Sequence, residues 1–186
     1  GVNAGKATTS GSNNVAIGLS AMFSQTTVSA NIAIGRNALY SNTTGGNNTA
    51  IGEQALTACT GSNNTAVGLY ASLNNTSGGA NTSLGVLSLQ TNETGEQNTA
   101  LGMYALYAYT GGRQAGYSVT TANNNTIVGH NAGLNATGPQ NTLIGSGAGD
   151  AITTGNHNNI FGYACDASSV SGTDQIVIGT NGQVGK

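Results

Sequence analysis

The chain has 186 residues, of which only 5% are charged, and its net charge is −2. Four cations in a chain of this length form no basic stripe that could neutralise phosphates, so the composition argues against nucleic-acid binding. No apolar run approaches the ~20 residues of a membrane-spanning helix, and we expect no membrane insertion.

One glycine recurs at nearly constant spacing, each time closing a short phrase such as Asn-Asn-Thr-Ala-Ile-Gly at 47–52. Successive glycines lie 16 or 17 residues apart, except for one spacing of 27 residues. This glycine column comprises Gly1, Gly18, Gly35, Gly52, Gly68, Gly85, Gly102, Gly129, Gly145, Gly162 and Gly179. A period this short is that of one solenoid turn. The sequence therefore predicts an all-β fold, a parallel β-roll or β-solenoid of about ten turns of 16–17 residues.

Residues 47–62 illustrate one turn. Thr49–Ile51 alternate β-branched side chains and predict a short strand that Gly52 ends. Ala55-Leu56 forms a second short apolar element, and a turn rich in Thr, Gly and Asn follows. Asparagine tolerates left-handed backbone and hydrogen-bonds its own turn, so the Asn pairs are predicted to hold the corners and to stack into ladders.

Each strand carries two apolar rows that point to opposite faces. The residue before each column glycine is always apolar and is predicted to lie inside the roll, as with Ile51. Its predecessor is small up to Ala100 and bulky from Ile127 onward. We predict that this second row packs against another copy of the chain, and that three parallel copies, intertwined or side by side, form a homotrimer.

The 27-residue spacing divides the chain. We expect a first block of repeats at 1–102, an expanded repeat at 103–128, a second block at 129–180, and a tail at 181–186 that leads into a further C-terminal region. The expanded repeat is rich in Tyr and Arg. Tyrosine rings stack on sugar rings, and the arginine guanidinium forms bidentate hydrogen bonds with the carboxylates of acidic sugars. Its candidate residues for binding a surface glycan are Tyr104, Tyr107, Tyr109, Arg113 and Tyr117. Alternatively, the insertion covers a seam where the roll changes its geometry.

The phrases Asn-Asn-Thr-Ala-Ile-Gly-x-x-Ala-Leu and Gln-Ile-Val-Ile-Gly at 175–179 resemble the repeat region of bacteriophage and viral tail fibres. They are also similar to the left-handed β-roll head of trimeric autotransporter adhesins. The resemblance implies a trimeric fibre or spike on a virion or at a cell surface. It implies structural and receptor-binding roles, with other fibre or baseplate proteins and a host surface glycan or protein as partners. The head of a bacterial trimeric adhesin is the alternative.

Catalytic and metal chemistry have little support in the sequence. The six carboxylates are scattered, and neither histidine has metal-ligand spacing, so we expect no enzyme, no metal and no cofactor. Cys59 and Cys165 are about six turns of ~4.8 Å apart, too far to pair, and are expected to be buried free thiols.

An ice-binding solenoid is a further alternative, because such proteins present regular threonine columns on a flat face. Thr49, Thr65, Thr82, Thr99, Thr126 and Thr142 form such a column. Val15, Ile32 and Ile176 interrupt it. Since this column shares a face with the row predicted to be interior, we expect it to lie inside the roll or at a corner.

Overall fold

The computed structural model describes residues 1–107 and 122–180, and the regular structure in these ranges is β only. Each strand has three residues and ends immediately before a column glycine. The strands are β1 (Val15–Ile17), β2 (Ile32–Ile34), β3 (Thr49–Ile51), β4 (Thr65–Val67), β5 (Thr82–Leu84), β6 (Thr99–Leu101), β7 (Thr126–Val128), β8 (Thr142–Ile144), β9 (Asn159–Phe161) and β10 (Ile176–Ile178).

All ten strands form one parallel sheet in chain order. Ten strands enclose nine complete turns, close to the predicted number, so the prediction of an all-β parallel solenoid is confirmed. The long spacing does not disturb the stack, because β6 pairs with β7 and Thr99 lies opposite Thr126 in the common register. The strands on either side of the long spacing are therefore direct neighbours in the sheet.

The column glycines allow adjacent turns to approach closely. From Gly18 to Gly162 they have φ between +126° and +141°, a region that side-chain-bearing residues rarely adopt. A Cβ added to Gly68 would lie 2.4 Å from the carbonyl oxygen of Gly85 on the next turn. The periodic glycine is thus required by both backbone conformation and stacking distance.

Left-handed residues form the other corners of each turn. In the turn that contains β3, these are Asn47, Gln54 and Leu56, with φ of 58°, 57° and 50°. The left-handed conformation predicted for the Asn pairs is found at their first members, Asn13, Asn47 and Asn63, and not at their second members. Among the described non-glycine residues with positive φ, none is β-branched, in agreement with the steric cost of that conformation for branched side chains.

The second Asn of each pair forms the predicted ladder. The backbone N–H of Asn48 donates to Oδ1 of Asn31 at 2.8 Å, and that of Asn64 donates to Oδ1 of Asn48 at 2.9 Å. The same bond recurs from Asn14 through Asn158, with Gln175 as the last donor. From Asn31 to Asn158 these side chains are buried, so the ladder is a polar spine within the rod.

The direction predicted for the two strand rows is wrong. The middle residues of the strands form an inner row, which is buried from Ala33 to Val177. The residues before the glycines form an outer row, exposed or half-buried, in which Ile17 and Leu84 expose 55% and 45% of their surface. Both rows are apolar, so alternation alone could not distinguish inside from outside. The small-to-large change therefore occurs in the core and not, as predicted, at an interface between copies.

A second set of side chains fills the interior opposite the inner row. This opposite wall is the fourth residue after the column glycines from Gly18 to Gly145: Met22, Leu39, Leu56, Ser72, Leu89, Leu106, Gly133 and Gly149. Where the inner row is Ala, the wall is mostly Leu or Met, and where the inner row becomes Ile127 and Leu143, the wall becomes glycine. A Cβ on Gly133 would lie 2.7 Å from Cδ1 of Ile127. A larger side chain on one wall is thus matched by a smaller one on the other.

Candidate functional site

Three adjacent columns form the outer face of the sheet, and the middle one is apolar on every strand. They are the outer row itself, the residue two positions before it, and the residue after each column glycine. We call these three columns the outer face. Exposed large apolar residues on it are Val15, Ile17, Leu19, Ile32, Ile51, Leu69, Leu84, Val86, Leu101, Met103, Ile144, Tyr163, Ile176 and Ile178. Many exposed apolar side chains on one face are characteristic of an interaction surface.

The threonine column also lies on the outer face, which corrects the prediction that it is interior or at a corner. Thr65, Thr82, Thr99 and Thr126 are exposed, and Thr49 and Thr142 are half-buried. The reason is the reversal of the strand rows: threonine and the outer-row residue are two positions apart and share one face. In each strand that begins with threonine, the threonine hydroxyl consequently lies beside the aliphatic side chain of the outer row.

One ion pair interrupts the apolar columns of the outer face. Arg36 and Glu53 follow consecutive column glycines, and the guanidinium of Arg36 donates to Oε1 of Glu53. Hydrogen bonding and the charge of Glu53 raise the pKa of Arg36 above its ordinary value. Both side chains remain substantially exposed, so the pair neutralises charge on the face and contributes little to stability.

The candidate glycan-binding residues are only partly described by the structure. Tyr104 and Tyr107 lie together, with ring centroids 5.3 Å apart and planes inclined at 74°. Tyr104 also meets the ring of His130 edge-on, with centroids 6.4 Å apart. Tyr109, Arg113 and Tyr117 lie outside the described residues, so their predicted role stays a prediction.

Beside the two tyrosines is a cleft of about 270 Å³, which we call the tyrosine cleft. Its lining residues are Leu87, Tyr104, Tyr107, Asn131 and Leu134. Three of these occupy the second position after successive column glycines, and the other two occupy the fifth. The cleft is thus built from two columns over three rungs.

Sequence reasoning missed Leu87, Asn131 and Leu134 because their turns contain no unusual composition. Their constant offset from the column glycine was the available signal. The same two columns contain Phe23, Tyr40 and Tyr70, so five of the seven aromatic residues in the described ranges lie on this side of the rod. Phe23 and Tyr40 stack face to face, with centroids 5.0 Å apart and planes inclined at 4°.

The two cysteines are buried free thiols, as predicted. Burial raises the pKa of Cys59 to about 11, so it is protonated and unreactive at neutral pH. Burial and the neighbouring charge of Asp166 raise the pKa of Asp150. In residues 1–107 and 122–180, no group of three or more His, Cys, Asp or Glu side chains could hold a metal ion. No helix in those ranges is long and apolar enough to span a bilayer.

Comparisons of the chain with protein-family models, with curated proteins and with solved structures found no significant match.

Proposed function

We propose that this chain is a structural and attachment segment of a parallel homotrimeric fibre or spike, exposed on a virion or a cell surface. The observation that carries the proposal is the outer face, whose outer row is apolar and at least partly exposed on all ten strands of a single chain. Uncovered apolar surface of this extent favours association, because its burial removes it from water at roughly 25 cal/mol per Å².

A second copy of the same chain is the partner best matched to this surface. The outer face offers one set of side chains per rung, and rungs of a parallel sheet repeat every ~4.8 Å. Only a partner with the same repeat stays in phase over the whole length. Three parallel copies arranged around one axis would cover every outer face and leave none unpaired.

The low charge of the face supports the same assembly. Arg36 and Glu53 neutralise each other within one chain, so bringing copies together adds little like-charge repulsion. Neutral hydroxyls of the threonine column can form hydrogen bonds between copies at the margin of the apolar rows. Other fibre or baseplate proteins and a host surface glycan or protein are the further partners we propose, and we propose no enzymatic activity.

The native mass in solution tests the proposal. We expect about three times the chain mass of 18.3 kDa. The outward substitutions Leu84→Glu and Leu101→Glu should together give monomers, because they place charge within the contact. Ser77→Glu, on an exposed turn away from the outer face, is the matched control and should stay trimeric. A monomeric wild-type chain would contradict the proposal.

The head of a bacterial trimeric adhesin is an alternative that predicts the same assembly. An ice-binding solenoid is a second candidate function, favoured specifically by the exposed threonine column. It requires the outer face to be free, whereas the trimer requires it to be covered. A monomer with thermal hysteresis that Thr82→Lys and Thr99→Lys abolish would support ice binding. A trimer without hysteresis would support the fibre.

A further inference from the structure

The tyrosine cleft differs in ring arrangement from the other aromatic residues at the second and fifth positions after the column glycines. Along the same columns, Phe23 and Tyr40 are parallel and in contact, which leaves no space between the rings. Tyr104 and Tyr107 instead meet at 74°, and the rings form two walls of an open cleft. Leu87 and Leu134 add aliphatic surface to these walls.

The backbone of the stack determines the positions of the lining residues. Leu87, Tyr104 and Asn131 have left-handed φ of 58°, 57° and 56°. Their amides are bonded to the preceding turns: Leu87 to Leu69, Tyr104 to Val86 and Asn131 to Met103. Three rungs at ~4.8 Å give the cleft a length of about 10 Å between the outermost two. The backbone of these three lining residues is therefore held in place before any ligand binds, which reduces the entropic cost of binding.

The chemistry of the lining selects the class of ligand. Aromatic faces and leucine methyl groups suit the C–H surfaces of a sugar ring, while tyrosine hydroxyls and the Asn131 amide suit its hydroxyl groups. None of the five described lining residues carries a charge, so these residues offer no ionic partner to an acidic sugar. A volume of about 270 Å³ is at the lower limit of small-molecule pockets, which span ~300–1,000 Å³, and suits one ring.

We infer that the tyrosine cleft binds one neutral pyranose ring of a surface glycan. This inference rests on the proposed attachment role and specifies its ligand class. It assigns ring stacking to Tyr104 and Tyr107 and hydroxyl recognition to Asn131, using described residues alone.

Binding to two sets of immobilised oligosaccharides tests the inference, one of neutral hexoses and N-acetylhexosamines and one of sialylated chains. Wild-type protein should bind members of the neutral set. Tyr104→Ala removes one wall and Leu134→Phe fills the cleft, and each should weaken binding about tenfold or more. Tyr70→Ala is the matched control, since Tyr70 occupies the position of Tyr104 two turns earlier and should leave binding unchanged. Circular dichroism and melting temperature confirm the fold of each variant.

Three results would overturn the inference: no binding to the neutral set, binding only to sialylated chains, or undiminished binding by folded Tyr104→Ala and Leu134→Phe proteins. Its failure can be told apart from failure of the fibre proposal. A trimer that binds no neutral sugar rejects the cleft and leaves the fibre. A monomer whose sugar binding depends on Tyr104 rejects the trimer and leaves the cleft.

Discussion

The first and second blocks of the rod have the same backbone but fill it with opposite side chains. In the first block, alanines on the strands face leucines on the opposite wall, as with Ala50 and Leu56. In the second block, Leu143 faces Gly149, and at the start of this region Ile127 of the expanded repeat faces Gly133. Close packing requires that the sum of the two walls be conserved, whereas either wall is free to vary. The solenoid thus constrains the combined side-chain volume of two facing residues and not the volume of either one alone.

The glycine column is common to both blocks and gives the largest expected effect. In Gly68→Ala and Gly145→Ala, the new Cβ would lie 2.4 Å and 2.1 Å from a carbonyl oxygen of the next turn. We expect each to lose more than about 4 kcal/mol of unfolding free energy or not to fold. Denaturant titration at fixed protein concentration measures this. Gly79→Ala is the control, with its nearest atom at 3.3 Å, and should change stability by less than about 1 kcal/mol. Equal stability of Gly68→Ala and Gly79→Ala would contradict the prediction.

A double-mutant cycle at Ile127 and Gly133, where the expanded repeat meets the second block, introduces the pattern of the first block. Ile127→Ala creates a cavity and should cost about 2–5 kcal/mol. Gly133→Leu overpacks the core against Ile127 and should cost about 1–3 kcal/mol. Together they restore the Ala–Leu pair, so the double variant should be more stable than Ile127→Ala. Additive losses in the cycle, measured by denaturant unfolding, would refute this matching of side-chain volumes.

A buried polar pair within the first block offers a smaller test. Ser72 and Ser83 replace Leu and Ala on facing walls, and their buried hydroxyls are 2.8 Å apart. Ser83→Ala alone leaves the Ser72 hydroxyl without this bond and should cost about 1–2 kcal/mol. Adding Ser72→Leu should more than recover the loss, with a gain of about 1–3 kcal/mol over wild type from apolar burial. A double variant less stable than Ser83→Ala would show that the hydroxyl pair is needed at this place.

The smallest predicted effect concerns the acidic pair of the second block. Burial and the charge of Asp166 raise the pKa of Asp150. A carboxyl with a raised pKa in the folded state contributes stability when protonated and loses it as pH rises through that pKa. At pH 7 its ionised form therefore opposes folding, and Asp150→Asn should raise the melting temperature. The gain should shrink as pH falls below the folded pKa. A lower melting temperature at pH 7 would contradict this.

Much of the fold could be predicted from the sequence, because the repeat period equals the number of residues in one turn of the solenoid. A glycine every 16–17 residues indicated the turn, and the Asn pairs indicated the left-handed corners and the ladder. Which residues of each strand face the core could not be predicted, since Ala50 and Ile51 are both apolar and either could face inward. Only the opposite wall resolves the choice, because Leu56 supplies the volume that Ala50 lacks.

The candidate site was less predictable for a related reason. Tyrosines near the long spacing were conspicuous by composition, but Leu87, Asn131 and Leu134 became neighbours only through stacking. Residues 17 or more positions apart meet on adjacent rungs, so a local reading of the sequence cannot group them. Grouping residues by their offset from the column glycine would have placed all five lining residues in two columns.

Because each turn bonds to the turn before it and the turn after it, the length of the rod is adjustable in whole steps. Removing 53–68 would join Gly52 to Leu69 and delete one rung with its glycine, its ladder Asn and its two core walls together. The shortened chain would keep the register on both sides of the deletion and lose ~4.8 Å of reach. The length of the solenoid is thus encoded by a count of repeats, and the contact specific to this deleted turn that would be lost is the Arg36–Glu53 ion pair.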